Sequence, residues 1–346
     1  MVSISVRWKR PALRCLVVTA SAVVCLLLAE LALRIFWPVQ YLAPPKALPG
    51  NAWRELLHRR SSIPGLDFEL VPNKHKDTWG MVIVTNSHGM RDREPLPDDT
   101  ESLFRIIVLG DSFTFGYGIS GERTYPVVLE DLLNESSKVP PFAYDVLNLG
   151  VAGYATRDEA VVLEHVGLRW SPRVVVVGYV LNDPETDPIQ SLTAYYHRPA
   201  WWQYSHVLRA VAKAKNNWDI ARLGRGDYFR HLHAPHCDKW RSVTDAFQHI
   251  RQLTESRGIA VLVVIFPIIV DNWEDYPYLD IHQQVLETAK TNGFDCLDLY
   301  DAFSQHKPQD LTVSGSDAHP NEHGHYIAAQ AIKEKLADGF LHVDSD

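Results

Sequence analysis

Three short runs, 104–109 (FRIIVL), 174–179 (VVVVGY) and 259–266 (IAVLVVIF), are apolar at nearly every position. A strand with one wet face would alternate apolar and polar residues. A continuous apolar run of this length reads instead as a strand buried on both faces of a parallel sheet. Residues 144–148 and 294–299 fit the same rhythm as further strands. Between the strands, 125–134, 156–169, 241–257, 278–292 and 321–337 read as helices. Pro126 suits a first helical turn, and Gly258 and Gly293 suit helix ends. Strands alternating with helices predict an α/β fold, a flavodoxin-like three-layer sandwich with a five-stranded parallel sheet. Such a sheet holds its site at the carboxyl ends of the strands.

The N-terminus carries a second, independent signal. Arg7, Lys9, Arg10 and Arg14 precede an apolar stretch whose first acid is Glu30. Glu30 and Arg34 stand four apart and can neutralise one another on a helix. Counted through that pair, the run is about 20 residues, the length a bilayer needs. No good small-x-small cleavage site follows the apolar stretch before Glu30 and Arg34, so a retained transmembrane helix is favoured over a cleaved signal peptide. The basic flank predicts a cytoplasmic N-terminus and an extracytoplasmic catalytic part, periplasmic if the cell is Gram-negative. The predicted organisation is a basic cytoplasmic tail at 1–14, a signal anchor at 15–37, a Pro-rich stalk at 38–52, and a β-rich lead-in at 53–103. The main domain follows at 104–340, with an inserted cap at 184–240 that follows the third strand and is expected over the site.

A net charge of −8 without a basic stripe argues against a nucleic-acid surface. Of four cysteines, Cys15 and Cys25 lie in the apolar run and read as small hydrophobes. Whether Cys237 and Cys296 pair is left open, as is the oligomeric state.

Strand ends deliver the polar residues. The first strand runs into Gly110-Asp111-Ser112-Phe113-Thr114, the second into Asn148-Leu149-Gly150-Val151-Ala152-Gly153, and the third leads to Asn182-Asp183. Asp317-Ala318-His319-Pro320 stands just before the last helix. Together these stretches resemble the SGNH, or GDSL, hydrolases, whose blocks supply serine, glycine, asparagine and histidine in that order. GDSFTFG matches the first block and NLGVAGYAT the second, with Gly153 at the family's glycine. Asn182-Asp183 matches the third, although Val180 replaces its usual glycine, and DAHPNEHGH matches the last. The resemblance covers about 104–337. It implies that Ser112 is a nucleophile, His319 its base and Asp317 the group that orients the imidazole. It also implies an oxyanion hole from the N–H groups of Ser112 and Gly153 and the Asn182 amide, with no cofactor. Asp111 and Asp183 read as loop supports. The family's aspartate usually stands three residues before the histidine, where Ser316 stands here. Asp317 lies two before, and in extended chain i and i+2 share a side, so it can reach the ring. Asp310 is a reserve.

Competing motifs fare worse. GxSxG is absent, which disfavours the α/β-hydrolase elbow. His319-Pro320-Asn321-Glu322-His323 matches HxxEH, but Pro320 would open the helix and leave His319 off its face, so no metal site is expected. His323 and His325 read as surface residues of the last helix. Trp201, Trp202, Trp218 and Trp240 suit packing of the insert, sugar stacking or lipid headgroups, with packing favoured. The resemblance and the anchor imply an acyl ester, most often acetyl, on a carbohydrate or envelope glycan. An O-acyltransferase, a lipid esterase or thioesterase, and a non-catalytic polysaccharide-assembly protein are the alternatives.

Overall fold

The computed structural model describes residues 9–38, 57–78, 81–136, 142–185, 201–223, 228–315 and 317–341. The expected stalk from 39 onward, the tail before residue 9, Ser316, and residues 186–200 and 224–227 of the expected cap lie outside them. In chain order the helices are α1 (Lys9–Phe36), α2 (Ser112–Phe115), α3 (Tyr125–Ser136), α4 (Thr156–His165), α5 (His206–Leu223), α6 (Tyr228–Leu232), α7 (Asp238–Glu255), α8 (Leu279–Thr291), α9 (Tyr300–Ser304) and α10 (Glu322–Gly339). The strands are β1 (His58–Arg60), β2 (Phe68–Leu70), β3 (His75–Thr78), β4 (Met81–Val84), β5 (Leu103–Gly110), β6 (Ala143–Asn148), β7 (Val174–Tyr179), β8 (Ala260–Ile265), β9 (Asp295–Asp298), β10 (Thr312–Ser314) and β11 (Asp317–Pro320).

The chain divides into two compact units, one of residues 1–47 and 188–228, the other of 48–187 and 229–346. In the larger unit, five strands form a parallel sheet in the order β6-β5-β7-β8-β9. This is the flavodoxin order, in which connections reverse direction between β5 and β7 and open a crevice at their carboxyl ends. Ile106, Ile107, Val108 and Leu109 have no exposed surface, and neither do Val175, Val176 and Val177. Burying each such side chain is worth roughly 1.5–3 kcal/mol, which is why these runs lack alternation. Along β5, Ile106 and Val108 pack with Leu129 of α3 and Ile332 of α10. The opposite face is covered by α4 and α7, which pack on each other. β9 is one of the two edge strands, and its polar residues Asp295 and Asp298 reflect that position.

The lead-in forms two antiparallel pairs, β1–β2 and β3–β4. The Tyr154 hydroxyl donates to the Phe68 carbonyl at 2.7 Å and ties β2 to the sheet unit. The last stretch of the expected cap, 229–240, belongs to the sheet unit too. Leu232, His233 and Trp240 are buried there because Tyr179 donates to His233 Nε2 at 2.8 Å and the Trp240 ring packs on that imidazole. Cys237 and Cys296 are separate free thiols.

The smaller unit contains α1 and α5. Within α1, Leu13–Phe36 contains an 18-residue window with a mean hydropathy of 2.5 and is long and apolar enough to cross a membrane, so it is a candidate anchor or signal.

Candidate active site

Ser112 is the first residue of α2, directly after β5. Asp111 caps that helix by accepting the Phe113 N–H at 2.8 Å, and Gly116 ends it in the left-handed region. A helix of four residues cannot hold itself together, so its shape comes from its surroundings. Thr114 is wholly buried beneath it, and its hydroxyl pairs with that of Tyr125 at 2.8 Å. The loop after β6 closes against the same threonine. A Cβ on Gly150 would lie 2.5 Å from Thr114 Cγ2 and 2.7 Å from the Phe115 nitrogen. Gly150 is therefore required by close approach of two loops. Asn148 fixes both of them, donating to the Thr114 carbonyl at 3.1 Å and accepting the Gly150 N–H at 2.9 Å.

His319 arrives from the hairpin β10–β11. Its Nε2 accepts the Ser112 hydroxyl at 2.8 Å, and its Nδ1–H donates to Asp317 Oδ1 at 2.5 Å. The His319 backbone N–H donates to the same carboxylate oxygen at 3.0 Å, so Asp317 grips both the ring and the main chain of its neighbour. Ser112 Oγ also lies 3.4 Å from Asp111, too long to compete with the imidazole. Aromatic rings flank the imidazole, with Phe113 at 5.0 Å and Tyr117 at 4.8 Å between centroids. Asp310 is exposed in a 3-10 turn, where its carbonyl takes the Asn321 amide at 3.0 Å.

Asn182, from the loop after β7, donates one amide hydrogen to Asp111 Oδ2 at 3.0 Å. Gly153 has φ +91, a left-handed conformation that suits glycine. The N–H groups of Ser112 and Gly153 have no protein acceptor among the described residues. Asp183 accepts from Thr156 at 3.4 Å. Burial pushes the carboxyls of Asp111, Asp183 and Glu159 above the ordinary range, and repulsion from Asp111 pushes Asp183 and Glu159 the same way.

Two expectations about the last helix need correction. Pro320 ends strand β11 and does not open the helix, because Asn321 is the cap, accepting from the His323 and Gly324 N–H groups. His319 is still off the helix, on the preceding strand. His325 is not at the surface. It is fully buried, and its Nδ1 accepts the Tyr125 N–H at 3.0 Å, because α10 packs against α3 at that point. Burial holds this imidazole down at about 3, so it is neutral. His323 is exposed, as read.

Arg91 carries no motif that singles it out, yet it supports the site directly. It is 1% exposed and donates to the carbonyls of Phe115 at 2.8 Å, Gly116 at 2.5 Å and Ile119 at 2.6 Å. Its guanidinium lies 4.7 Å from the Phe115 ring centroid. The Phe115 and Gly116 carbonyls end α2, where a cation is favoured, and Ile119 lies in the loop that follows. The neighbouring Asp92 accepts the Asn148 N–H at 2.7 Å, so the lead-in holds both loops.

A doubly wound parallel sheet with a serine–histidine contact at the carboxyl end of β5 defines a class, the ester-cleaving serine hydrolases. The chain belongs to the GDSL-like lipase/acylhydrolase family, whose model matches residues 108–327. Comparison with curated proteins gives no match. Among solved structures the chain is similar to Axe2, an acetylxylan esterase from Geobacillus stearothermophilus, at 18% identity and a TM-score of 0.44, covering 70% of this chain and 97% of that one. A two-domain esterase (CEX) active on acetylated mannans is similar at 16% identity and a TM-score of 0.42, covering 68% of this chain and 49% of that one. TesA is similar at 14% identity and a TM-score of 0.44, covering 68% and 98%.

Proposed function

We propose that the protein cleaves an acyl ester, most simply an acetyl ester, carried on a carbohydrate or cell-envelope glycan, with Ser112 as nucleophile. The observation that carries this reading is the unbroken chain from Ser112 Oγ to His319 Nε2 at 2.8 Å and from His319 Nδ1 to Asp317 at 2.5 Å. The Ser112 oxygen attacks the ester carbonyl while His319 takes its proton. Asp317 holds the ring with Nε2 free to accept and stabilises the imidazolium. The negative oxygen of the tetrahedral intermediate is held by the N–H groups of Ser112 and Gly153 and by the second amide hydrogen of Asn182. Asp111 fixes that amide by accepting its first hydrogen at 3.0 Å. The intermediate expels the alcohol, which leaves with the proton from His319. Water, deprotonated by the same imidazole, then releases the acid and restores Ser112. All proton and electron-pair movements are met by these side chains and water. The glycan substrate and an extracytoplasmic location are supported by the family's acyl-ester chemistry and by the apolar N-terminal helix with its basic flank.

The full-length protein in detergent, assayed with p-nitrophenyl acetate, longer esters and an acetylated glycan, tests this beside Ser112→Ala. We expect acetate release that falls about 10⁴-fold or more in the variant. Equal rates in both proteins would eliminate the nucleophile. Acetyl appearing on a sugar hydroxyl instead of in water would make the enzyme an acyltransferase. Inactivity of both proteins toward every ester would favour a non-catalytic assembly role.

A further inference from the structure

Glu30 is the puzzle of the N-terminal helix. An acid within an apolar span is costly to insert unless its charge is paired and its lone pairs are hydrogen-bonded. Pairing with Arg34 at 2.7 Å answers only part of that cost. The rest is answered by α5. Glu30 Oε2 accepts the Ser205 hydroxyl at 2.8 Å and the Val207 N–H at 2.9 Å, and Oε1 accepts the His206 N–H at 3.0 Å. Arg34 in turn donates to the Tyr204 carbonyl at 2.8 Å. The first N–H groups of a helix lack internal partners and favour negative charge. Here a carboxylate on one helix supplies that cap to another.

We propose that α5 is a membrane-interface helix, docked by Glu30 onto a retained transmembrane α1 with its apolar stripe in the lipid. This rests on reading α1 as an anchor, and it adds a partner for the second helix. At 1.5 Å per residue, Glu30 lies about 26 Å along the axis from Leu13, close to the edge of a hydrocarbon core about 30 Å thick. Helix α5 therefore starts at interface depth. From there Val207, Val211, Ala214 and Trp218 follow at spacings of four, three and four, on one face. Val211 is 61% exposed, Trp218 70%, and the neighbouring Trp201 80%. The stripe continues an apolar groove of about 510 Å³ where Val23, Leu26 and Leu27 of the span face Val207 and Leu208. Tryptophan and tyrosine favour the headgroup level. Every charged residue in 206–218, namely Arg209, Lys213 and Lys215, is basic, which fits an anionic lipid surface. Removal of α1 as a signal peptide would strip α5 of its cap.

The test uses the full-length chain in phosphatidylglycerol-containing vesicles, with the native cysteines replaced and one nitroxide at Val211→Cys, Trp218→Cys or Lys213→Cys. We expect labels at 211 and 218 to relax more with oxygen than with a water-soluble nickel chelate, and the label at 213 to show the reverse order. Adding Glu30→Leu, which keeps the span apolar, should mobilise the label at 211 and abolish its oxygen preference. Labels at 211 and 218 that favour the chelate while the chain resists carbonate extraction overturn the interfacial helix and leave the anchor standing. A label at 211 indifferent to Glu30→Leu overturns the docking. A chain that washes off membranes, or whose mature mass lacks α1, overturns the anchor and the proposal together.

Discussion

Thr114, wholly buried and paired with the Tyr125 hydroxyl, is the residue around which the site is assembled. Because a Cβ at Gly150 would overlap it, Gly150→Ala should destabilise the fold by about 2–3 kcal/mol, read as a lower denaturation midpoint with an unchanged slope. An unchanged midpoint would mean that the loops are not in contact. Arg91 makes a second test. Arg91→Met leaves buried carbonyls of Phe115, Gly116 and Ile119 without donors and should cost about 3 kcal/mol or more. Arg91→Lys should recover only part, since an ammonium lacks the planar fork. A loss under roughly 0.5 kcal/mol, the range of ordinary surface changes, would refute the clamp. Asp317→Asn should lower kcat about 10⁴-fold with little change in KM, as when a triad aspartate becomes its amide in a serine protease. The residues proposed for the site, Ser112, Gly153, Asn182, Asp317 and His319, can be picked out in the sequence because their blocks are local and ordered. Arg91 cannot, since its three acceptors lie 24 to 28 residues downstream and no spacing rule links them.

At the scale of elements, α10 shows why a histidine was misread. HxxEHxH looks like a polar helix start, and sequence periodicity alone does not say that the His325 position faces α3. The contact has a pH signature. His325 is held at about 3 in the fold, whereas an unfolded chain protonates near 6.5. As pH falls from 6.5 towards 3 the unfolded state gains a proton that the fold refuses, so stability present above 6.5 is progressively lost. His325→Asn should therefore lose less stability than the parent between pH 6 and pH 4, by about 2 kcal/mol, in chemical denaturation at each pH. Parallel pH profiles would contradict the burial. The five strands were legible because runs such as VVVVGY leave no wet face. Edge strand β9 and the hairpin β10–β11 carried weaker signals. Strands of three or four residues offer too few alternations to read.

On the scale of the molecule, the chain joins a hydrolase unit to an apolar helix whose one acid caps a second helix. The order of the sheet puts Ser112 beside the crevice between β5 and β7, and the hairpin delivers His319 from the far end of the sequence. The boundary of the inserted segment was the least legible feature, because 229–240 reads like the rest of the insert until Leu232 and Trp240 are seen to be buried. The central claim is that one hydroxyl is activated by one imidazole. Incubating the full-length protein with a fluorophosphonate and mapping the modified peptide by mass spectrometry tests it most directly. The account predicts a single stoichiometric adduct on Ser112 that forms far more slowly in His319→Ala. An adduct elsewhere, or labelling of Ser112 at the same rate without the imidazole, would contradict it.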